Sequence, residues 1–238
     1  MMEIKAYGDR AILINFDQKI DPEINQQVIA LGQAIEAATW VGVQYLIPAY
    51  CSLTLAYDPE VTTFASLKQA IASLDSMALK KSIGNSRTLS IPVCYDEPFA
   101  WDLADVVTVT QLSAEEIISL HTSTLFRVYM LGFLPGFVYM GRLPEALQCK
   151  RKTTPRLKVP AQAVALAGFQ TGIYPSEAPG GWQIIGKTPV KVFDPRLEDP
   201  FLFRAGDSVS FRAISRAEFD QIEEEVNHFN YKPEIQYD

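Results

Sequence analysis

The sequence predicts an α+β domain over residues 1–83 followed by a mainly β domain over residues 84–238, and three observations carry that prediction. The first eighty residues alternate β-prone runs with helical apolar stripes; residues 80–88 (KKSIGNSRT) are polar and break the periodicity; from Phe126 to Phe211 glycine, proline and short β-type runs dominate. A chain of 238 residues that is 48% hydrophobic carries enough apolar material for such cores.

In the first region Ala11 to Phe16, Val41 to Leu46 and Ser52 to Tyr57 read as strands. Between the first two, Ile24, Val28, Leu31 and Ile35 recur at helical spacing behind Asp21, a cap, and Pro22, which suits the first helical position because its missing N–H would be unpaired there anyway. Phe64, Leu67, Ile71 and Leu74 mark a second helix. The order β-α-β-β-α suggests helices on one face of an antiparallel sheet. In the second region Leu89 to Tyr95 reads as a strand, and Ser113 with Glu116 forms a capping box before Ile117 and Leu120. The glycine- and proline-rich stretch that follows suits a barrel or sandwich of short strands. Ser215 and Glu218 then repeat the box before Phe219, Ile222 and Val226.

A formal charge of −7 disfavours nucleic acid, whose phosphates need clustered cations, although Lys150 to Lys158 packs five cations into nine residues. The start, Met1-Met2-Glu3-Ile4-Lys5, shows neither secretory signal nor membrane anchor, so cytoplasm is the expected compartment. Cys51, Cys94 and Cys149 are odd in number and far apart, as reduced thiols would be, and with only His121 and His228 a site of several imidazoles, and hence a metal, is not expected.

Three segments concentrate the chemistry. In Gly132 to Gly141 (GFLPGFVYMG) a Pro135-Gly136 turn sits between aromatics, among them Tyr139, which suits a pocket wall and equally a corner whose rings fill the core. Arg156 stands close behind Pro155 and ahead of Pro160, a stiff setting for a guanidinium that must meet an anion in one orientation, or for an ordinary surface arginine; Gln170, Thr171 and Tyr174 follow with neutral groups suited to a planar amide. Gly180 and Gly181 beside Trp182 allow close backbone approach next to a stacking surface. Gly181 to Thr188 (GWQIIGKT) matches the phosphate-loop pattern formally, but Pro189 follows at once and Trp182, Ile184 and Ile185 are bulky and β-prone, which makes a strand the better reading. His121, at a helix end, is either a dipole-stabilised cation or an acid–base candidate.

Taken in order, Gly8-Asp9-Arg10-Ala11, Ile20 to Asn25, Tyr57-Asp58-Pro59, Ile91 to Tyr95, Leu120-His121-Thr122, Gly132 to Gly141, Pro155-Arg156, Val159-Pro160-Ala161, Gln170 to Pro175, Pro179 to Trp182, Ile185 to Pro189 and Gly206-Asp207 resemble the family of the 5-oxoprolinase B subunit, also called allophanate hydrolase subunit 1 or kinase A inhibitor. Gln162 and Glu177 depart from it, standing where the family commonly has glycine and serine. The resemblance implies that the second domain is a cyclophilin-like barrel. It implies a subunit, inactive alone, of an ATP-hydrolysing complex that opens 5-oxo-L-proline to L-glutamate. Its partners would be an allophanate hydrolase subunit 2-type protein (the 5-oxoprolinase C subunit) and the 5-oxoprolinase A subunit, with the ATP-holding member unassigned. Under it Arg156, Gln170 and Tyr174 would meet the substrate's carboxylate and lactam, with Pro135, Tyr139, Gly180, Gly181 and Trp182 around them and His121 moving a proton. The family's other name implies an alternative, a regulator that docks on a sporulation-type sensor histidine kinase.

Overall fold

The computed structural model describes residues 2–74 and 87–237 and divides into two compact units, Met1–Asn85 and Ser86–Asp238. The expected boundary at residues 83/84 lies outside the described residues; of the expected linker, Arg87 and Thr88 lie within them, as the start of a strand.

In the first unit β1 (Glu3–Ala6), β2 (Ala11–Asn15), β3 (Val43–Pro48) and β4 (Ser52–Tyr57) form an antiparallel sheet in the order β1-β2-β4-β3. Alternation sends Ile12, Ile14, Leu53 and Leu55 to one face, where α1 (Pro22–Ala38) supplies Val28, Leu31 and Ile35 and α2 (Phe64–Ala72) supplies Leu67 and Ile71. Asp21 caps α1 through bonds from the amides of Glu23 (2.8 Å) and Ile24 (3.2 Å), with Pro22 in the first turn. The strand expected from Val41 begins two residues later, because Thr39 ends α1 in the left-handed region and Gly42, at φ 88°, turns the chain before Val43.

The second unit contains an eight-stranded sheet in the order β12-β9-β10-β7-β6-β13-β5-β14. Its strands are β5 (Arg87–Val93), β6 (Phe126–Leu131), β7 (Val138–Gly141), β9 (Ala163–Ala167), β10 (Gln170–Ile173), β12 (Gln183–Lys187), β13 (Ser208–Ala213) and β14 (Glu234–Tyr237). All of these pairings are antiparallel except β5 with β13. The sheet curls until Cys94, just past β5, exchanges two backbone hydrogen bonds with Lys187 at the far edge (2.9 and 3.0 Å). Gly186 permits this approach: a Cβ there would lie 2.8 Å from the Cys94 carbonyl oxygen. Inside the curl Leu89, Ile91, Phe126, Val128, Met140, Val164, Leu166 and Phe211 pack with Ile117 of α4 (Ala114–Ser123) and Val106 of α3 (Leu103–Thr110). Ser113 and Glu116 make the full capping box of α4. In α5 (Arg216–Asn227) Ser215 caps as expected, but the Glu218 carboxylate turns to Arg212 (2.6 Å). A separate two-stranded ribbon of β8 (Arg156–Val159) and β11 (Ala178–Gly180) stands over a smaller cluster built on Phe137, Tyr174, Trp182 and the alanines of β9.

Candidate functional site

That smaller cluster is where the glycine- and proline-rich segments meet. The turn from Gly132 closes with a bond from the Gly132 amide to the Phe137 carbonyl (3.1 Å), and it needs Gly136, which sits at φ 83° with its Cα packed on Phe193. The turn delivers Phe137, 1% exposed, to the centre of an aromatic group. Its ring lies 4.7 Å from Tyr139, 4.9 Å from Tyr174 and 5.5 Å from Trp182, the last two edge-on, a geometry that sets positive ring edges against negative faces. Beneath it β10 passes with Gly172, where a Cβ would meet the Val138 carbonyl oxygen at 2.8 Å and the Trp182 ring at 3.0 Å. Only glycine lets the strand run under the rings this closely.

A slot of about 170 Å³ opens above the rings, bounded by Phe133, Phe137, Tyr139, Tyr174 and Trp182, by Gly180 and Gly181 with Pro155 and Pro179, and by Arg151 and Lys152. The Tyr174 hydroxyl lies against Gly180 so closely that a Cβ there would come within 2.1 Å of it. Burial pushes the Tyr174 phenol up to about 12, against the pull of a backbone hydrogen bond from Trp182, and burial raises Tyr139 against the nearby charge of Arg151. Both phenols therefore stay protonated at neutral pH and can donate a hydrogen bond. Among the described residues, no acidic side chain lines the slot.

The loop carrying Arg151 and Lys152 is held from behind by Asp102. This residue stands at the start of α3 yet makes no capping bond with its side chain. Its carboxylate, 1% exposed, accepts two bonds from Arg156 (2.8 and 2.5 Å), one from Lys152 (2.7 Å) and one from the Ile184 amide (2.7 Å). Burial alone would raise its pKa, but these donors outweigh burial and hold the carboxyl below the usual range. A bond from the Lys152 amide to the Gly181 carbonyl (2.7 Å) ties the same loop to the glycine pair.

Of the residues singled out from sequence, the structure gathers Tyr139, Tyr174, Gly180, Gly181 and Trp182 around one slot. Arg156 is corrected: its guanidinium is engaged by Asp102 and lies over Trp101 at 5.5 Å, so it braces the loop rather than facing the slot. Pro135 belongs to the turn behind Phe137, and Gln170 pairs in register with Gly141 and Ala167; neither lines the slot. The phosphate-loop pattern runs along β12, where Lys187 lies near Glu223 (3.6 Å) and over the rings of Phe99 and Phe219, and Thr188 is fully buried. Those residues do not fit a nucleotide's phosphates, which require a loop of free backbone amides. Sequence reading passed over Phe137, Arg151, Lys152 and Asp102. The basic run from Lys150 was a signal for two of them, whereas nothing marks Asp102, whose partner Arg156 is 54 residues away.

His121 is corrected as well. It points into the core, 0% exposed, stacked on Phe211 at 4.3 Å, with Nδ1 2.7 Å from the Tyr95 hydroxyl and Nε2 2.9 Å from Thr171 Oγ1. Thr171 donates its hydroxyl to the Ala165 carbonyl (3.2 Å), so it accepts from Nε2–H, and Nδ1 accepts from Tyr95. The ring is thus a neutral, satisfied member of the core with no face toward the slot, rather than an acid–base group or a charged helix-end residue. Burial depresses its pKa to about 3. An unfolded histidine takes up a proton near pH 6.5, so below that value protons favour the unfolded chain and stability falls. Between pH 7 and pH 5 this one group is expected to cost about 2 kcal/mol. Urea unfolding of wild type and of His121→Gln at both values checks this, the variant losing most of the pH dependence.

Residues 2–203 match the family model described as carboxyltransferase domain, subdomain C and D, and the chain belongs to that family. Within it, the chain is 40% identical over 235 residues to the B subunit of 5-oxoprolinase from Bacillus subtilis (strain 168), covering 94% of this chain and 98% of that one. Among solved structures it resembles TTHA0988 with a TM-score of 0.78 at 39% identity, covering 87% of this chain but spanning 40% of that longer one. The Kluyveromyces lactis urea amidolyase shares the fold, with a TM-score of 0.78 at 18% identity, over all of this chain and 16% of that one.

Proposed function

We propose that this chain is the B subunit of an ATP-dependent 5-oxoprolinase, a hydrolase acting on a cyclic amide, and that the aromatic slot receives the lactam. The observation that carries the activity is the end-to-end similarity to the Bacillus subtilis protein. The slot supports its placement: a small flat amide finds ring faces at Tyr139 and Trp182 and two protonated phenols able to donate to the carbonyl oxygen as negative charge develops there. In this reading the second unit is a cyclophilin-like barrel, which the closure of its sheet at Cys94 and Lys187 supports. The chain works with an allophanate hydrolase subunit 2-type protein, the C subunit of the complex, and with the A subunit. ATP supplies the driving force for opening a resonance-stabilised amide, and this chain's β12 is not the element that holds it. Among the described residues no helix is long and apolar enough to cross a membrane, and no group of His, Cys, Asp and Glu is placed to hold a metal ion.

Reconstitution tests the reading. The three subunits together are expected to release ADP and glutamate in proportion to added 5-oxoproline, with none from this chain alone. A complete mixture that releases no ADP on adding 5-oxoproline refutes it.

A further inference from the structure

Two cations line the aromatic slot and a third, Arg156, braces the loop behind it; Lys152 and Arg156 are committed to carboxylates. Lys152 is held by Asp102 (2.7 Å) and Asp105 (3.0 Å), and Arg156 is clamped by both oxygens of Asp102. Arg151 is different. Its side chain is exposed, makes no ion pair among the described residues, and sits with its guanidinium carbon 5.8 Å from the centre of the Trp182 ring. Its charge is felt by both tyrosines of the slot. Of the two cations that line the slot, Lys152 is thus neutralised by carboxylates and Arg151, at the slot's mouth, is not.

We infer that Arg151 recognises the carboxylate of the lactam substrate, gripping it at the rim while the ring lies in the slot against Trp182. This rests on the lactam-pocket reading above. A guanidinium presents parallel N–H donors that match the two oxygens of a carboxylate, a specificity that a lysine's point charge does not reproduce. With no acidic side chain among the described residues of the lining, nothing there repels the anion. A volume of about 170 Å³ suits a single small ring with one substituent, not a nucleotide. The assignment makes Arg151 a specificity residue, separating the acid from neutral lactams of the same shape.

The test uses the reconstituted three-subunit complex carrying wild-type chain, Arg151→Ala or Arg151→Lys, with 5-oxoproline and its carboxamide as competing substrates for ADP release. Loss of a charge-assisted bidentate contact is expected to raise the KM for 5-oxoproline about ten- to a hundredfold in Arg151→Ala, with kcat little changed. The carboxamide's KM should hardly move, so the preference for the acid collapses, and Arg151→Lys should recover only part of it. Since Arg151 is exposed, the variants should unfold at the wild-type urea concentration. An unchanged acid-over-amide preference in Arg151→Ala, or equal losses for both substrates, overturns the assignment and leaves the pocket reading standing. A wild-type complex inactive on 5-oxoproline overturns the pocket reading and the assignment with it.

Discussion

Trp182→Ala is expected to lower folding stability by about 3–5 kcal/mol and to abolish 5-oxoproline-dependent ADP release by the assembled complex. The indole is 5% exposed and meets the rings of Phe137 and Tyr139 edge-on, so its removal leaves a cavity bounded by rigid rings and by the β10 backbone at Gly172. Neither boundary can collapse into the space. The Tyr174 hydroxyl keeps its backbone partner at position 182 and its contact with Gly180, so the loss of activity follows from the lost ring surface. Urea unfolding gives the stability, and Trp182→Phe separates it from function: by keeping most of the volume it should recover half or more of the stability while still narrowing the stacking surface. A Trp182→Ala chain as stable as wild type would show that the aromatic cluster is not the tightly packed unit described.

Asp102→Ala is expected to cost about 3 kcal/mol, because it removes the acceptor shared by Arg156, Lys152 and the Ile184 amide and leaves that amide buried without a partner. The partial exposure of the two cations, 26% for Arg156 and 22% for Lys152, keeps the cost near the lower end for a broken buried pair. No helix cap is lost, since the Asp102 side chain caps nothing. The effect on activity should exceed the effect on stability, as Arg151, Lys152 and Pro155 of this loop form one wall of the slot. Asp102→Asn keeps acceptor and shape but not charge, and should fall between the two. Wild-type stability in Asp102→Ala would contradict the hub.

The elements built from local contacts were legible in the sequence. Asp21 and Pro22 start α1, Ser113 and Glu116 start α4, and Ser52–Tyr57 is the strand its β-branched and aromatic residues suggest. What escaped depended on partners distant in sequence. Glu3–Ala6 and Glu234–Tyr237 are mostly exposed edge strands of four residues each, too short for their alternation to mark a strand, and each exists because a neighbour offers a row of backbone groups. Arg156, in its proline-stiffened loop, has the local signature of an anion ligand and does bind a carboxylate, but the carboxylate is the protein's own. His121 shows the same limit. A histidine near a helix end looks accessible until Phe126 and Phe211, from strands far apart in the sequence, close over it. The slot itself was half legible: its glycines and aromatics stood out as segments, while the loop that sets its charge was visible only as a basic run.

The most direct measurement is a crystal structure of the assembled complex with 5-oxoproline. The ring should lie in van der Waals contact with Trp182 and Tyr139 and the carboxylate within hydrogen-bond distance of Arg151. A lactam bound out of reach of Tyr139, Tyr174 and Trp182 would contradict the account.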